Sequence, residues 1–556
     1  MRWRAPSMRW RMLSTVFALA GLVACATAPV GTPAAPDDPE AGVFVPRRGD
    51  PVRIRPETLI YSGQGAYTWP DGRTYDGTFV DGRPDGAGVE VLPDGERYEG
   101  EFADGAREGF GILVLADGGR YEGQFDAGLR SGHGRFSSPE GSYSGEWAGD
   151  VPHGEGIFEY SDGSRYQGEW LVGRRQGVGR YEQRNGSWYE GEWVGDMPHG
   201  FGRVEETSGT TYDGAWERGQ RAGYGRMTTR AGVTYEGTWV ADEREGYGLE
   251  TRPDGTRYSG EWHAGMRDGV GVAESVTGSR HEGSWEHNSP LGPGTRRSDE
   301  GTEITGTWAG NVVSAGLLRL PTGRDYAGNL YDDSNTRVDP AFLRWLTAEA
   351  ERGDPHAQLL LGEAYTHFEE PAADRNSAML WYGRAAASGV AEAAYQLAQI
   401  RLESSDPEEA IALFESAAMQ GHAASNAALG AFYQLGDHGL EKSHARAKAY
   451  YEAALGKGHA VARNNLAWLL ATSPDASLRD GARAVELAEP IAYLYDDWGY
   501  FDTLAAAHAE RGDFARAVEV ERLSIERADE AATEDDIEDL EARLALYERG
   551  EPYREP

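Results

Sequence analysis

The sequence predicts a multidomain repeat protein: an elongated all-β array of hairpins in a single-layer antiparallel sheet, followed by an all-α solenoid. Three observations predict it. The chain combines 75 glycines with an aromatic content of 11%, and disordered chains lack aromatics, so the glycines hold fixed structural positions. A five-residue motif, first seen as Tyr75-Asp-Gly-Thr-Phe79, returns in steps of 22 or 23 residues as far as Tyr326. Near Asp339 the apolar period lengthens from two to about 3.6 and Ala takes over from Gly. A chain of 556 residues is also too long for one hydrophobic core.

Residues 1–24 read as an export signal. Arg2, Arg4, Arg9 and Arg11 precede an apolar run from Met12 to Ala24. As a helix that run is about 20 Å long, short of the roughly 30 Å of a hydrocarbon core. Leu22-Val23-Ala24-Cys25 closes the run, and Cys25 is the only cysteine. The segment resembles the lipobox of bacterial lipoproteins. That resemblance implies diacylglycerol on the Cys25 sulfur, cleavage before it, and, with Ala26 rather than Asp next, sorting to the outer membrane. The alternative is an ordinary secretory signal cut at a nearby Ala. Each buried acyl methylene contributes about 0.8 kcal/mol to anchoring. Residues 25–58, rich in Pro and Ala, read as an extended tether. A lone cysteine excludes an intrachain disulfide and a multi-thiolate zinc site.

Residues 59–331 form the predicted β array. The Tyr75 motif recurs at Tyr98, Tyr121, Tyr143, Tyr166, Tyr189, Tyr212, Tyr235 and Tyr258, then as His281, Ile304 and Tyr326. A Gly-x-Gly pair such as Gly86/Gly88 or Gly109/Gly111 precedes most of them, and turns such as Asp71-Gly72 and Asp94-Gly95 lie between. Asp-Gly suits the positive φ of a tight turn. Strand period two puts the first, third and fifth motif residues on one face, so each unit offers two rings with a glycine gap. The gap leaves room for a ring or backbone from the next unit, and stacking produces a continuous aromatic seam. This pattern resembles MORN repeats, whose members are structural and scaffolding proteins, some linked to phospholipids. Residues 61–331 carry 44 acidic and 26 basic side chains, a net of −18, which repels anionic headgroups. His133, His153 and His199 recur beside the glycine-rich strands, where a turn-stabilising role is expected rather than a metal ladder. Glu99, Glu122 and Glu146 repeat too regularly for a catalytic pair and read as a solvated face. The strands at the two ends need cover: the Pro46–Pro56 stretch blunts one edge, and the Tyr326 unit hands the other to a helix near Phe342–Leu346.

Residues 339–470 show a second repeat: Gly353-Asp-Pro-His-Ala357, Gly389-Val-Ala-Glu-Ala393, Gly421-His-Ala-Ala-Ser425 and Gly458-His-Ala-Val-Ala462. Each precedes an apolar helix, and three follow helices such as Trp381-Tyr-Gly-Arg-Ala-Ala386. The segment resembles Sel-one-like repeats, and residues 471–556 resemble tetratricopeptides, closed by a polar cap at Glu534–Glu548. Trp468, Trp498 and Tyr500 are expected in the core. Such solenoids bind peptide or protein segments on a concave face.

A net charge of −37 opposes nucleic-acid binding. No nucleophile elbow, zinc-protease helix or phosphate loop is present, and no stretch outside the repeats is long enough for a catalytic domain. The expectation is a non-enzymatic scaffold without cofactor or metal, anchored through Cys25 in the bacterial envelope. It would hold unnamed periplasmic or envelope proteins, chiefly through the solenoid. The competing expectation is a lipid- or cell-wall-glycan-binding protein that uses the aromatic face and therefore needs open Trp rings.

Overall fold

The structure, a computed structural model, describes residues 34–35, 37–47, 51–331, 337–367, 374–404, 406–528 and 532–556. Among these lie twenty-six strands, β1 (Gly42–Pro46) to β26 (Asp325–Asn329), then twelve α-helices, α1 (Pro340–Glu351) to α12 (Glu534–Glu548). The fold is the single-layer antiparallel β array followed by an all-α solenoid that the sequence predicts. The chain divides into two compact units: one runs to Thr207 and includes Thr211–Gly223, the other holds Ser208–Thr210 and Tyr224–Pro556.

In the first unit, pairing follows chain order almost throughout. β4 (Thr74–Val80) pairs with β5 (Arg83–Val91), which pairs with β6 (Arg97–Ala103), in one register in which Gly77, Gly88, Gly100 and Gly111 stand side by side. Two turn types alternate. At Asp81-Gly82 both residues have positive φ, 48° and 79°, as a two-residue hairpin turn of the right twist requires. At Asp71-Gly72 only the glycine does, at 92°. Here Asp71 Oδ1 accepts the Arg73 N–H at 3.0 Å, and the loop closes from Trp69 N–H to the Arg73 carbonyl at 2.8 Å. The tightest turns are therefore Asp81-Gly82 and its counterparts such as Asp104-Gly105, not the Asp-Gly pairs picked from sequence.

Part of the expected tether is sheet. β1 pairs with β3 (Gly63–Thr68) and with β2 (Val52–Ile54). Phe44 supplies the reason: its ring meets Tyr61 at 4.8 Å and Phe79 at 5.6 Å, while Tyr67 Oη donates to the Ile54 carbonyl at 2.7 Å. The alternation in Val43-Phe44-Val45 was masked by the surrounding prolines. The edge is then the three-residue β2 between Pro51 and Pro56, too short and too poor in donors to template further pairing.

In the second unit, β18 (Thr234–Val240) through β26 continue the same pairing pattern. The last strand is covered by α1 as expected: Tyr326 lies 5.0 Å from Phe342 and 5.3 Å from Trp345. Trp308, Leu318 and Leu330 of the strands share one core with Phe342, Leu346 and Leu361 of the helices. Beyond it, helices pair as α2 (Pro355–His367) with α3 (Arg375–Ala387) and α4 (Ala391–Glu403) with α5 (Pro407–Met419), and so on to the cap α12. The repeated Gly-His step has a local cause. Gly421 and Gly458 turn with φ of 82° and 75°, and the next residues, His422 and His459, accept helix N-terminal N–H groups through Nδ1.

Candidate interaction surfaces

The groups that define the hairpin motif are turned inward. Tyr98, Tyr121, Tyr166 and Tyr189 are fully buried. Each phenol reaches back over its own motif: Tyr98 donates to the Glu101 carbonyl at 2.8 Å and Tyr189 to that of Glu192 at 2.9 Å. The glycine gap is thus filled by the motif's own tyrosine hydroxyl and by the facing glycine backbone, so a β-carbon on Gly88 would overlap the Tyr75 ring. Indole N–H groups donate one hairpin back, as from Trp193 to the Gly179 carbonyl at 3.0 Å. Rings alternate edge to face along the seam: Tyr189 meets Trp193 at 5.1 Å and Trp216 at 5.2 Å. With Trp193 and Trp262 only 2% exposed, the seam offers no open rings to a glycan.

What remains outward is the middle residue of each Gly-x-Gly. In the first unit Phe110, Val178 and Phe201 are 54%, 58% and 69% exposed; in the second, Tyr224, Tyr247 and Val270 are 62%, 65% and 62% exposed. Phe110 stands opposite Gln124 and Phe201 opposite Ala215, the fourth position of the motif, which parity assigns to the face away from the seam. The sequence reading did not single these residues out, although that parity was the signal. Tyr224 Oη donates to Glu236 at 2.8 Å, and Tyr247 Oη lies 3.2 Å from Ser259 Oγ. The three histidines are not one ladder: His133 lies between the two glycines of its pair, whereas His153 and His199 precede the first glycine of theirs, two residues out of step.

Within the second unit, hairpin turns pack against one stretch of solenoid. Arg230 bonds Glu489 at 3.2 Å and lies 4.1 Å over the Tyr493 ring, while Arg463 donates to the Pro253 carbonyl at 2.9 Å. Gly458 sits directly on the Asp254 carbonyl and Val276. Further along, Glu363 faces Glu392 and Glu300, and burial followed by those two charges pushes its carboxyl up to about 7. Burial works the same way on Glu392, but bonds from His422 at 3.0 Å and Gln396 outweigh it and hold that carboxyl low. Trp468 and Tyr500 pack partly buried against the helical core, as expected, whereas Trp498 is half-buried outside that cluster.

One carboxylate pair resembles catalytic machinery. Arg543 Nε lies 2.8 Å from Asp502 and 3.8 Å from Glu521. Burial pushes Asp502 up to about 6 and Glu521 well above the usual carboxylate range. Two carboxyls beside one guanidinium share a proton. Glu521 is 0% exposed and Asp502 7%, so no substrate reaches them, and their role is internal to the cap. Among the described residues no group of three or more His, Cys, Asp or Glu could hold a metal ion, and no helix is long and apolar enough to cross a membrane. Cys25 lies outside the described residues.

Comparison with known proteins places the MORN repeat at residues 60–72, 75–97, 98–120, 121–142, 143–165, 166–188, 189–205, 212–234, 235–257 and 258–280. The match ends where His281 replaces tyrosine. The chain thus contains a MORN-repeat region followed by a helical repeat region. Among solved structures, a Sel1 repeat protein from Oxalobacter formigenes is 23% identical over 35% of this chain and 82% of that one, with a TM-score of 0.29. A protective antigen of uropathogenic Escherichia coli displaying an SLR fold is 20% identical over 39% and 46%, with a TM-score of 0.30. A tetratricopeptide repeat protein from Parabacteroides merdae is 15% identical over 39% and 82%, with a TM-score of 0.23. No curated protein matches the chain.

Proposed function

We propose that this protein is a non-catalytic scaffold of the bacterial envelope, lipid-anchored at Cys25 to the outer membrane and facing the periplasm, which holds partner proteins chiefly through its helical solenoid. One observation carries the scaffold reading: the motif rings and hydroxyls are internal, and the outward middle positions are apolar or aromatic in most hairpins, with His133 and Glu155 among the exceptions and no converging reactive groups. Exposed apolar groups in series mark protein contact surfaces. On the solenoid, Leu380 in the middle of α3 and Met419 and Leu435, each the last residue of its helix, are 50%, 84% and 63% exposed, while the face around Gly458 and Glu489 is occupied by the chain's own hairpin turns. The lipobox resemblance and the basic, apolar leader support the anchor. Glycan or lipid binding through the seam is not favoured, because its rings are closed.

Two measurements test this. Cys25→Ser should move the protein from sedimented membranes to the soluble fraction; retention with membranes in high salt refutes the anchor. Met419→Asp combined with Leu435→Asp should lower recovery of cross-linked partners at least about tenfold while leaving the melting profile intact. Unchanged recovery refutes the solenoid as the selective surface.

A further inference from the structure

In the second unit His281 takes a tyrosine's place in the aromatic seam, between Trp285 at 5.3 Å and Trp308 at 5.2 Å. Across neighbouring strands, Ala273 pairs with His281 and His281 with Arg296. In the pattern of earlier hairpins the position of Ala273 holds a bulkier group: Phe136, Tyr181 or Glu250. Position 290 is proline, as are Pro152 and Pro198 in earlier hairpins, whereas Arg267 and Arg244 stand there one and two hairpins earlier. Beside the small Ala273 lies an open cleft of about 370 Å³, walled by Ala273, Trp285, Pro290, Asn288, Asn311 and Arg296. Small-molecule sites begin at about 300 Å³.

Its charge differs from that of the other hairpins. Arg107, Arg130, Arg175, Arg244 and Arg267 all lie over seam rings, and each is neutralised by a carboxylate: Arg107 by Glu90 at 2.9 Å, Arg130 by Asp150 at 3.1 Å, Arg175 by Asp196 at 3.3 Å, and Arg244 and Arg267 by Glu250 at 2.7 and 2.8 Å. Arg296 lies 4.3 Å over Trp308, and its hydrogen bonds go to the uncharged Asn311, at 3.1 Å to Oδ1 and 3.4 Å to the carbonyl. Glu274, also in the wall, is held by Arg280 at 3.0 Å. Beneath the cleft His281 is 6% exposed, with neither ring nitrogen hydrogen-bonded among the described residues. Burial, then the charge of Arg296, pushes His281 down to about 4, so it adds no second cation at neutral pH.

From this geometry we infer that the cleft beside Arg296 binds a small carboxylate with a flat apolar body: the guanidinium takes the carboxylate, and the open space over Ala273, edged by the buried Trp285 and Pro290, takes the body. The planar fork matches two carboxylate oxygens. Arg280, also in the wall, is neutralised by Glu274, so one guanidinium is left without a carboxylate, which disfavours a phosphate dianion. The site is independent of the scaffold reading, since it requires neither anchor nor partner.

Benzoate is the test probe, followed by saturation-transfer NMR and calorimetry on the full chain, with benzamide and inorganic phosphate as comparators. Benzoate should bind, benzamide should bind at least about tenfold more weakly, and phosphate should not displace benzoate at equal concentration. Arg296→Gln should weaken benzoate at least about tenfold. Ala273→Phe, which restores a side chain the fold already accepts at Phe136, should do the same by filling the cleft, so it decides the matter if the first variant fails to fold. Absence of benzoate binding, equal affinity for benzamide, displacement by phosphate, or unchanged affinity in a folded variant would each overturn the proposal.

Discussion

At the scale of the residue, tyrosine rather than any ring is required in the seam. Its hydroxyl reaches a carbonyl three residues on, and its ring covers a pair of glycines. Tyr189→Phe keeps the ring and deletes the donor to the Glu192 carbonyl, in a part-buried bond. The expected loss is about 1–3 kcal/mol in urea unfolding; no loss would show that this bond is replaced by water. Gly88→Ala places a methyl group on the Tyr75 ring and should cost a further 1–3 kcal/mol or about that. The contrasting substitution is Gly383→Ala in α3, where the nearest atom to a new β-carbon is Leu397 Cδ2 at 3.8 Å. There the loss of backbone freedom in the unfolded chain predicts a stabilisation of up to about 1 kcal/mol. The tyrosine and glycine spacing was plain in the sequence. That the phenol folds over its own glycine was not, because a motif gives parity and not side-chain reach.

The element that repeats is one hairpin, and its phase matters more than its count. Excising residues 143–165 joins Ser142 to Tyr166 and leaves Tyr121 facing Trp170 in the place of Trp147. The shortened chain should keep its strand signal in circular dichroism and its resistance to limited proteolysis. Excising residues 143–153 removes one strand and inverts the direction of all that follow. That chain should be cleaved within the array. Equal resistance of the two would contradict a register set by the glycine row. Two elements were read incompletely from sequence. The strand at Gly42–Pro46 was hidden in a proline-rich context, since composition averages over a window longer than five residues. The turn at Asp71-Gly72 is where the sequence puts it, but its longer loop is not legible there, since dipeptide identity does not fix loop length.

At the scale of the larger unit, the β array and the helices after it are not separable at Asp339. Leu318 and Leu330 are 2% and 0% exposed only because Phe342 and Leu346 cover them. A chain ending at Tyr331 should therefore aggregate in size-exclusion chromatography, whereas a monodisperse product would show that the strands close their own core. The helical cap adds a pH dependence. Asp502 and Glu521 have raised carboxyl pKa values in the folded state, so the unfolded chain releases their protons first as pH rises. Stability from this pair is present below about pH 4 and declines as pH rises through 6. Glu521→Gln keeps a donor for Asp502 and removes the buried acid. It should raise the melting temperature at pH 7.5 by about 2–4 °C and change it little at pH 4. An equal shift at both values would rule out titration as the cause.

The sequence by itself determined the architecture: hairpins of fixed period, their degeneration after Tyr258, the switch to helices near Asp339, and the cap at Glu534–Glu548. These follow from local rules of turn chemistry and apolar period, which act over a few residues and survive without tertiary context. Only the tertiary structure decided which rings are closed and which side chains face outward, which solenoid face is covered by hairpin turns, and that Arg296 bonds Asn311 rather than a carboxylate. Those are relations between residues one or more hairpins apart, or between strand and helix. They depend on the reach of side chains across a shared core, which no spacing along the chain records.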